Sequence, residues 1–560
     1  MGTIIGIDLG TTTSEIAYVK DGKPEVIINE LGSRITPSVV GLTDENEIII
    51  GNTAKGQAAL KPDRTVMEVK RIMGTDKMVT LGDNVVTPEE VSAMILKELK
   101  RYAESYIGEN ITEAVITVPA NFNDLQRQAT KIAGELAGLK IERIINEPTA
   151  AAIAYSIDNL DKEEKIIVYD LGGGTFDITI LNLLNGNLDI KTSRGNNKLG
   201  GKDFDERLTN YILKKFREDT NIDLSKNYIA MARIKEASER AKIDLSVMNF
   251  AEIEIPFIAT DEKNNPLEIN FKISREEFEG LIKDLIDITE VEVDKALEAA
   301  GYNKEDIDTV IAVGGSTRIP CVRELLKNKF GDKLKGGINV DEAVAIGAAI
   351  QGAIHKNDPK LSSIKIMDIC MHTLGISVGK DTVDHIIMKD SKLPCTENKI
   401  YSTSFDNQKS MTIEVYQGDA TLKSENTKIG EFKIEGIPEA SAGDEEVEVA
   451  FTYNIDGILE VTAEIISSGE SIVGIIDTMG VNSKPIEYSE DLGKWSSSRL
   501  SSKSKTIIEM AEKKVPHLDS ENKVKVVKVI ESLKRAIIDD DDELVDKYDE
   551  ELTDLLFEIC

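Results

Sequence analysis

Along residues 1–355 two hydrophobic rhythms take turns. Short β-rich runs, such as Ala114-Val115-Ile116-Thr117-Val118 and Thr309-Val310-Ile311-Ala312-Val313, lead into Gly and Pro turns. Longer stretches, residues 88–106 among them, repeat their apolar positions with the helical period. That alternation predicts an α/β unit. The rhythm breaks after Ile354: residues 355–363 are polar, and 356–368 reads as an interdomain linker. Beyond it the apolar positions alternate with period two: Met411/Ile413/Val415, then Val447/Val449/Phe451/Tyr453, then Leu459/Val461/Ala463/Ile465. Asp456-Gly457, between the last two runs, is a hairpin signal, so residues 369–487 are expected to form an all-β module. From residue 488 to 560 the helical period returns. Val526, Ile530, Leu533 and Ile537 make one stripe, and Leu544, Tyr548, Leu552, Leu555 and Ile559 make another. A small helical bundle is expected there, with the acidic run 539–543 as a solvated loop between helices.

One internal echo carries more than the periodicity. Ile4-Ile5-Gly6-Ile7-Asp8-Leu9-Gly10-Thr11-Thr12 returns as Ile166-Ile167-Val168-Tyr169-Asp170-Leu171-Gly172-Gly173-Gly174. Asp8, Leu9 and Gly10 match Asp170, Leu171 and Gly172 at a constant offset. Each is an apolar strand entering an Asp-Leu-Gly turn and leaving in a second strand. A single such turn is an ordinary hairpin. Two in matching settings point to duplicated lobes facing one cleft.

Composition narrows the function. The chain has 560 residues, 41% hydrophobic and 30% charged, enough for three or four units with their own cores. Lys plus Arg number 67 against 100 Asp plus Glu, a net charge of -33, which argues against nucleic-acid and membrane-surface partners. The four cysteines (Cys321, Cys370, Cys395, Cys560) show no zinc-ligand spacing, and four histidines add little to a His/Cys metal site. The opening MGTIIGIDLG lacks the basic start of a secretory signal, and Gly6 stands where myristoylation wants Ser or Thr. The most apolar run, 343–354, is too short to span a bilayer. A cytoplasmic location is expected.

No P-loop occurs, and no GxGxxG opens a βαβ unit. Gly10-Thr11-Thr12-Thr13 and Gly172-Gly173-Gly174-Thr175 nevertheless offer small turns whose N–H groups can approach phosphate closely. Asp8 and Asp170 just before them are hard carboxylates of the sort that hold hydrated Mg²⁺. Gly314-Gly315-Ser316 closes a further strand.

These segments, with Val118-Pro119-Ala120, Ile145-Asn146-Glu147-Pro148-Thr149-Ala150-Ala151-Ala152, Phe176-Asp177 and Val313-Gly314-Gly315-Ser316-Thr317-Arg318-Ile319-Pro320, resemble the signatures of the seventy-kilodalton heat-shock chaperones, the DnaK family. The resemblance is collinear over nearly the whole chain. The short C-terminal region and the Asp368-Ile369-Cys370 junction look most like the HscC-type bacterial branch. The resemblance implies an actin-like, duplicated α/β ATPase domain, then a β-sandwich peptide-binding domain and an α-helical lid. It implies ATP/ADP, Mg²⁺ and K⁺ as cofactors. Asp8, Glu147 and Asp170 would hold the Mg²⁺ hydration shell, and Asp8 and Asp177 a monovalent cation. Lys70 would reach the γ-phosphate and the attacking water, offsetting charge that spreads in a loose transition state, and Thr175 would contact the γ-phosphate. Asp341 joins the nucleotide site; Glu239, Lys242 and Ser246, along one helix face, would bond ribose and adenine while Arg318 stacks on the base. Ile243 stands where some relatives carry a second arginine.

In the β module the resemblance maps the peptide pocket to Ile376, Tyr401, Ser404, Met411 and Ile413, an apolar slot for an extended segment. Tyr401 replaces a common Phe, and Gly379 stands at a methionine position. The implied partners are unfolded polypeptides, a J-domain protein near Arg143, Asn146 and Asp368, and an exchange factor. Two rival classes share the actin-like cleft: small-molecule kinases and polymerising actin relatives. Neither accounts for the β module and helical tail. Ile364-Lys365-Ile366-Met367-Asp368 departs from the family's leucine run. Lys365 is expected to weaken linker docking unless its ammonium faces solvent.

Overall fold

A computed structural model describes residues 2–335, 339–453, 458–477 and 520–538, with scattered helical positions between 504 and 555. The echoed segments become the hearts of two sheets of like topology. In the first, Ile4–Leu9 pairs antiparallel with Thr13–Lys20 and parallel with Glu113–Val118, with Lys140–Asn146 outermost on that side. In the second, Glu163–Leu171 pairs antiparallel with Phe176–Leu184 and parallel with Thr309–Val313, and Asn187–Asn196 follows Phe176–Leu184. The stretches Ile4–Ile7 and Ile166–Tyr169 of the central strands are buried and carry no charge because both faces are covered there.

The helices form where the period predicted them. Pro88–Ile107 starts on Thr87, whose hydroxyl accepts the Glu90 N–H while the Glu90 carboxylate accepts the Thr87 N–H. It stops at Gly108, held at φ 85°, a left-handed conformation that glycine adopts without strain. Ala343–His355 lies against the first lobe's sheet and the helix Glu147–Ser156. A Cβ on Gly347 would stand 1.8 Å from the Ala150 carbonyl oxygen, and one on Gly6 2.1 Å from the Ala349 nitrogen. Only glycine permits that approach.

The segment read as a linker is not all loop. Lys365–Met367 is a strand that pairs parallel with Asn187–Asn196 and so becomes the edge of the second lobe's sheet. Ile364 is buried at 3% exposure, whereas Lys365 faces solvent and Met367 is 47% exposed. The exception made for Lys365, an ammonium that faces solvent, is the arrangement found, and the weakening expected otherwise does not arise. The strand is held by backbone pairing, begun by the Lys365 N–H to the Gly186 carbonyl at 3.0 Å, and by Ile364. In this docked arrangement the ammonium stays in water.

Past the linker, two four-stranded sheets share one apolar core that includes Leu374, Ile413, Val447, Phe451 and Val461. Glu446–Tyr453 and Ile458–Ile465 pair antiparallel as their alternation predicts; Asp456-Gly457 lies outside the described residues. On the helix Ser520–Ile538 the stripe Val526, Ile530, Leu533, Ile537 is buried. The second stripe needs correction. Leu544 is 40% exposed, and Val545 and Leu552 are the buried positions, with Tyr548 and Leu555 packed beside them. Ile559 and the run 539–543 lie outside the described residues.

Candidate nucleotide site

The two Asp-Leu-Gly turns meet across the cleft. A Cβ on Gly173 would stand 2.0 Å from Thr12 Oγ1, and one on Gly174 2.6 Å from Thr11 Oγ1. Side chains are excluded there, leaving backbone N–H groups to line the wall. Around this contact lies a cavity walled by Asp8, Gly10, Thr11, Thr12 and Thr13 from the first lobe and Asp170, Gly172, Gly173 and Thr175 from the second. Lys70, Glu147, Gly314, Gly315 and Asp341 complete it.

Each charged group arrives on its own element. Lys70 sits in the short turn Val69–Ile72, entered through Glu68 at φ 60°. Glu147 opens the helix Glu147–Ser156, where a carboxylate suits the helix N-terminus. The Lys70 ammonium meets Glu147 Oε1 at 2.5 Å, both side chains largely buried. Asp8 Oδ1 accepts a hydrogen bond from the Thr117 hydroxyl at 2.9 Å. Asp177 is register-paired with Asp170 and accepts from the Asn121 amide nitrogen at 2.7 Å, while its Oδ2 has no partner.

These carboxyls resist ionising together. Burial, then the charge of Glu147, pushes Asp8 up to about 7. The same two causes push Asp177 up to about 7. Asp170 is raised by burial and by Glu147, Asp177 and Asp8. One ammonium facing four carboxyls leaves negative charge that a hard divalent cation would neutralise, and the all-oxygen donor set fits Mg²⁺. Among the described residues no three His, Cys, Asp or Glu side chains stand close enough to cage a metal by themselves.

The nucleoside-end residues are placed but otherwise engaged. On the helix Tyr228–Val247, Glu239 pairs with Lys55 at 3.1 Å across the cleft. Lys242 holds Asp205 at 2.8 Å and donates to the Gly201 carbonyl at 3.0 Å. Ser246 donates to the Lys242 carbonyl at 3.1 Å, and the Ser316 hydroxyl to the Gly172 carbonyl at 2.9 Å. Arg318 grips Asp341 through both nitrogens, at 2.9 and 2.7 Å. Ile243 is exposed.

In the β module, Ile376 and Ile413 belong to the shared core, at 3% and 1% exposure, and Met411 and Tyr401 pack against it. The Tyr401 hydroxyl donates to Asp384 Oδ2 at 2.9 Å. Ser404 stands outside that cluster, its N–H donating to Gln408 Oε1 at 2.8 Å.

Sequence reasoning missed Glu15, which lines the nucleotide cavity at 3% exposure. The signal was present: the offset relating Asp8 to Asp170 also relates Glu15 to Asp177.

A duplicated α/β unit that brings two glycine turns, a buried lysine and several carboxyls to one cleft, and continues into a β module, defines a nucleotide-driven two-part machine. A family model described as "Hsp70 protein" matches residues 4–559. The chain is 47% identical over 470 residues to proteins named "Chaperone protein DnaK" from Thermotoga neapolitana, Thermotoga petrophila and Thermotoga maritima, covering 83% of this chain and 79% of each relative. The chain belongs to the Hsp70 family. It is an ATP-dependent chaperone and an ATPase, with a two-lobed actin-like ATPase unit and a substrate-binding unit. The kinase and filament readings fall with that membership.

Proposed function

We propose that residues 1–355 form the ATPase domain, 369–487 a peptide-binding sandwich and 488–560 its lid, with 356–368 as the coupling segment. The carrying observation is the strand Lys365–Met367, which joins the ATPase sheet at one end and runs directly into the β module at the other. Nucleotide-dependent movement of that sheet reaches the peptide slot through backbone.

In this reading Asp8, Glu147 and Asp170 hold hydrated Mg²⁺, with Asp8 and Asp177 siting K⁺. The cation, when bound, neutralises the phosphates. Lys70, already poised by Glu147, turns toward the γ-phosphate, and Thr175 and the backbone of Gly172–Gly174 orient it. Gly10, Thr11, Thr12, Thr13, Gly314, Gly315, Ser316 and Asp341 hold the phosphates and ribose side. Glu239, Lys242, Ser246 and Arg318 take the nucleoside after exchanging their present ion pairs. Ile376, Tyr401, Ser404, Met411 and Ile413 form the slot for an extended apolar segment of an unfolded client. That requires the two sheets to part, because Ile376 and Ile413 are now core residues. A J-domain protein near Arg143, Asn146 and Asp368 and an exchange factor complete the cycle, in the cytoplasm. The Asp368-Ile369-Cys370 junction supports the HscC-type branch.

The test is phosphate release from full-length protein with and without an extended apolar peptide. Several-fold acceleration by peptide is expected; a rate indifferent to peptide would sink the coupled reading.

A further inference from the structure

Away from the nucleotide cleft, the second lobe carries a larger hollow with no assigned work. It is an open groove of about 1170 Å³ between the long helix Arg275–Ala300 and the helix Pro320–Phe330, with residues 302–305 also in its lining. Two bridges tie its walls together. The Cys321 N–H donates to Glu279 Oε1 at 3.0 Å, and Lys329 reaches across to Asp294 at 2.7 Å and Glu290 at 3.2 Å. The groove shares no lining residue with the nucleotide cavity, and Arg143, Asn146 and Asp368 stand outside it.

The lining is of two kinds. Ile286 and Leu297 are 5% and 6% exposed, and with half-buried Leu325 and Tyr302 they belong to the core of the lobe, so the floor is apolar. The rim is charged: eight carboxylates line the groove against three lysines. Two of those lysines are committed, Lys329 as above and Lys283 to Asp287 at 2.9 Å. Glu276, Glu298, Glu305 and Glu324 have no ion pair among the described residues. On the long helix, Glu276, Glu279, Asp287, Glu290, Asp294 and Glu298 recur at spacings of three, four and eight, which puts them in one stripe. Val291, one turn from both Asp287 and Asp294, is 51% exposed beside that stripe.

The stripe from Glu276 to Glu298 is about 33 Å long at 1.5 Å per residue. Its walls are helices whose backbone groups are already bonded, so an extended strand would find no sheet edge to join. A helix whose apolar face is flanked by lysine or arginine matches on both counts. Its apolar side chains reach the floor, and its cations meet the unpaired carboxylates. We propose that this groove docks a basic amphipathic helix of a partner protein, apart from both the nucleotide cleft and the peptide slot.

The probe is a fluorescein-labelled peptide of roughly 18 residues, with leucine and lysine set at the helical period so that one face is apolar. Its binding to full-length protein is read by anisotropy, with excess unlabelled extended apolar peptide present to occupy the slot. Wild type is compared with two doubly charge-reversed proteins: Glu298→Lys with Glu324→Lys in the groove, and Glu45→Lys with Glu262→Lys on exposed turns outside it. Both pairs change the net charge equally, so only position differs. The groove pair should weaken binding by about tenfold or more, and the outer pair by less than about twofold. A lysine–serine peptide of equal charge should bind wild type about tenfold more weakly, because it brings nothing apolar to the floor. Melting temperature and basal phosphate release report that each variant is folded. Should the reversal unfold the protein, Glu298→Gln with Glu324→Gln removes the same charges without adding new ones, and should weaken binding several-fold. Equal weakening by the two pairs, or equal affinity for the lysine–serine peptide, would reduce the effect to the overall negative charge and overturn the inference. Displacement by the apolar peptide would move the site to the slot, and no binding to wild type would end the proposal outright.

Discussion

Two buried junctions organise this molecule, and they are built differently. The cleft between the lobes is lined by charge: Lys70 against Glu147 at 2.5 Å, with Asp8, Asp170 and Asp177 nearby, all three with raised pKa values. The junction between the ATPase unit and the β module is held mostly by backbone and by groups bonded one to one. The Asp124 N–H donates to Gln417 Oε1 at 2.9 Å, the His372 ring bonds the Phe122 carbonyl at 3.2 Å, and Arg194 forks onto Asp390 at 3.1 and 2.6 Å. The cleft stores unneutralised charge awaiting a ligand. The junction is nearly satisfied as it stands, as a surface that docks and releases should be.

Substitution at the centre of the cleft should have the largest effect. Lys70→Ala removes the one ammonium facing the carboxyls, and single-turnover hydrolysis should fall by roughly 100-fold or more, in line with the loss of one preorganised charge. ATP affinity should change far less. Measuring both in the same protein separates transition-state stabilisation from uniform binding. Equal losses would place Lys70 with the binding groups and erase the contrast with the junction.

The two junctions also differ in how far the sequence discloses them. Asp8, Gly10, Asp170, Gly172 and Thr175 stand in repeated strand–turn–strand settings, and phosphate chemistry follows from small turns beside carboxylates. Lys70 is legible only through family resemblance, because nothing local distinguishes a lysine in a short turn from one on the surface. Glu15 was legible through the offset that relates Asp8 to Asp170 and Glu15 to Asp177, whereas its place across from Asp8 is set by strand pairing. The junction left almost no trace. Asp124, Phe122, His372 and Gln417 share no motif and meet only when two units dock. The residues proposed for the peptide slot carry a different ambiguity, since period two makes Ile376 and Ile413 equally good core residues, and here they are core.

His372 makes the junction sensitive to protons. The ring donates one hydrogen bond to the Phe122 carbonyl at 3.2 Å. Burial lowers its pKa to about 4, helped by the Lys389 and Arg127 charges and opposed by Asp419. Asp368 of the linker lines the same small cavity as His372. Once the units separate, the ring should return to its ordinary value near 6.5. The docked value is the lower one, so the contribution to docking is complete above about pH 6.5 and lost as pH falls through it. Between pH 7.5 and 5.5 docking should weaken by roughly tenfold. The Lys365 amide, bonded to the Gly186 carbonyl, reports this as a fall in hydrogen-exchange protection in ATP-bound protein. His372→Gln should flatten the profile; an unchanged profile would move the pH dependence elsewhere.

The smallest expected effect is at Lys365, where the departure from the leucine run looked most damaging. A leucine buried at that place would contribute roughly 1.5–3 kcal/mol, and a buried ammonium would oppose docking by losing hydration. The side chain does neither, since it stands in solvent while Ile364, at 3% exposure, packs into the ATPase core. The strand's pairing with Asn187, Leu188 and Asp189 is made by backbone and is indifferent to the outward side chain. Lys365→Leu should leave the rate of ATP-triggered peptide release within about twofold of wild type, since exposed substitutions rarely shift stability by more than about 0.5 kcal/mol. Ile364→Ala should slow that release several-fold through lost burial. If Lys365→Leu speeds release strongly instead, the strand rotates as it engages, and the leucine position faces inward in the state that opens the peptide slot.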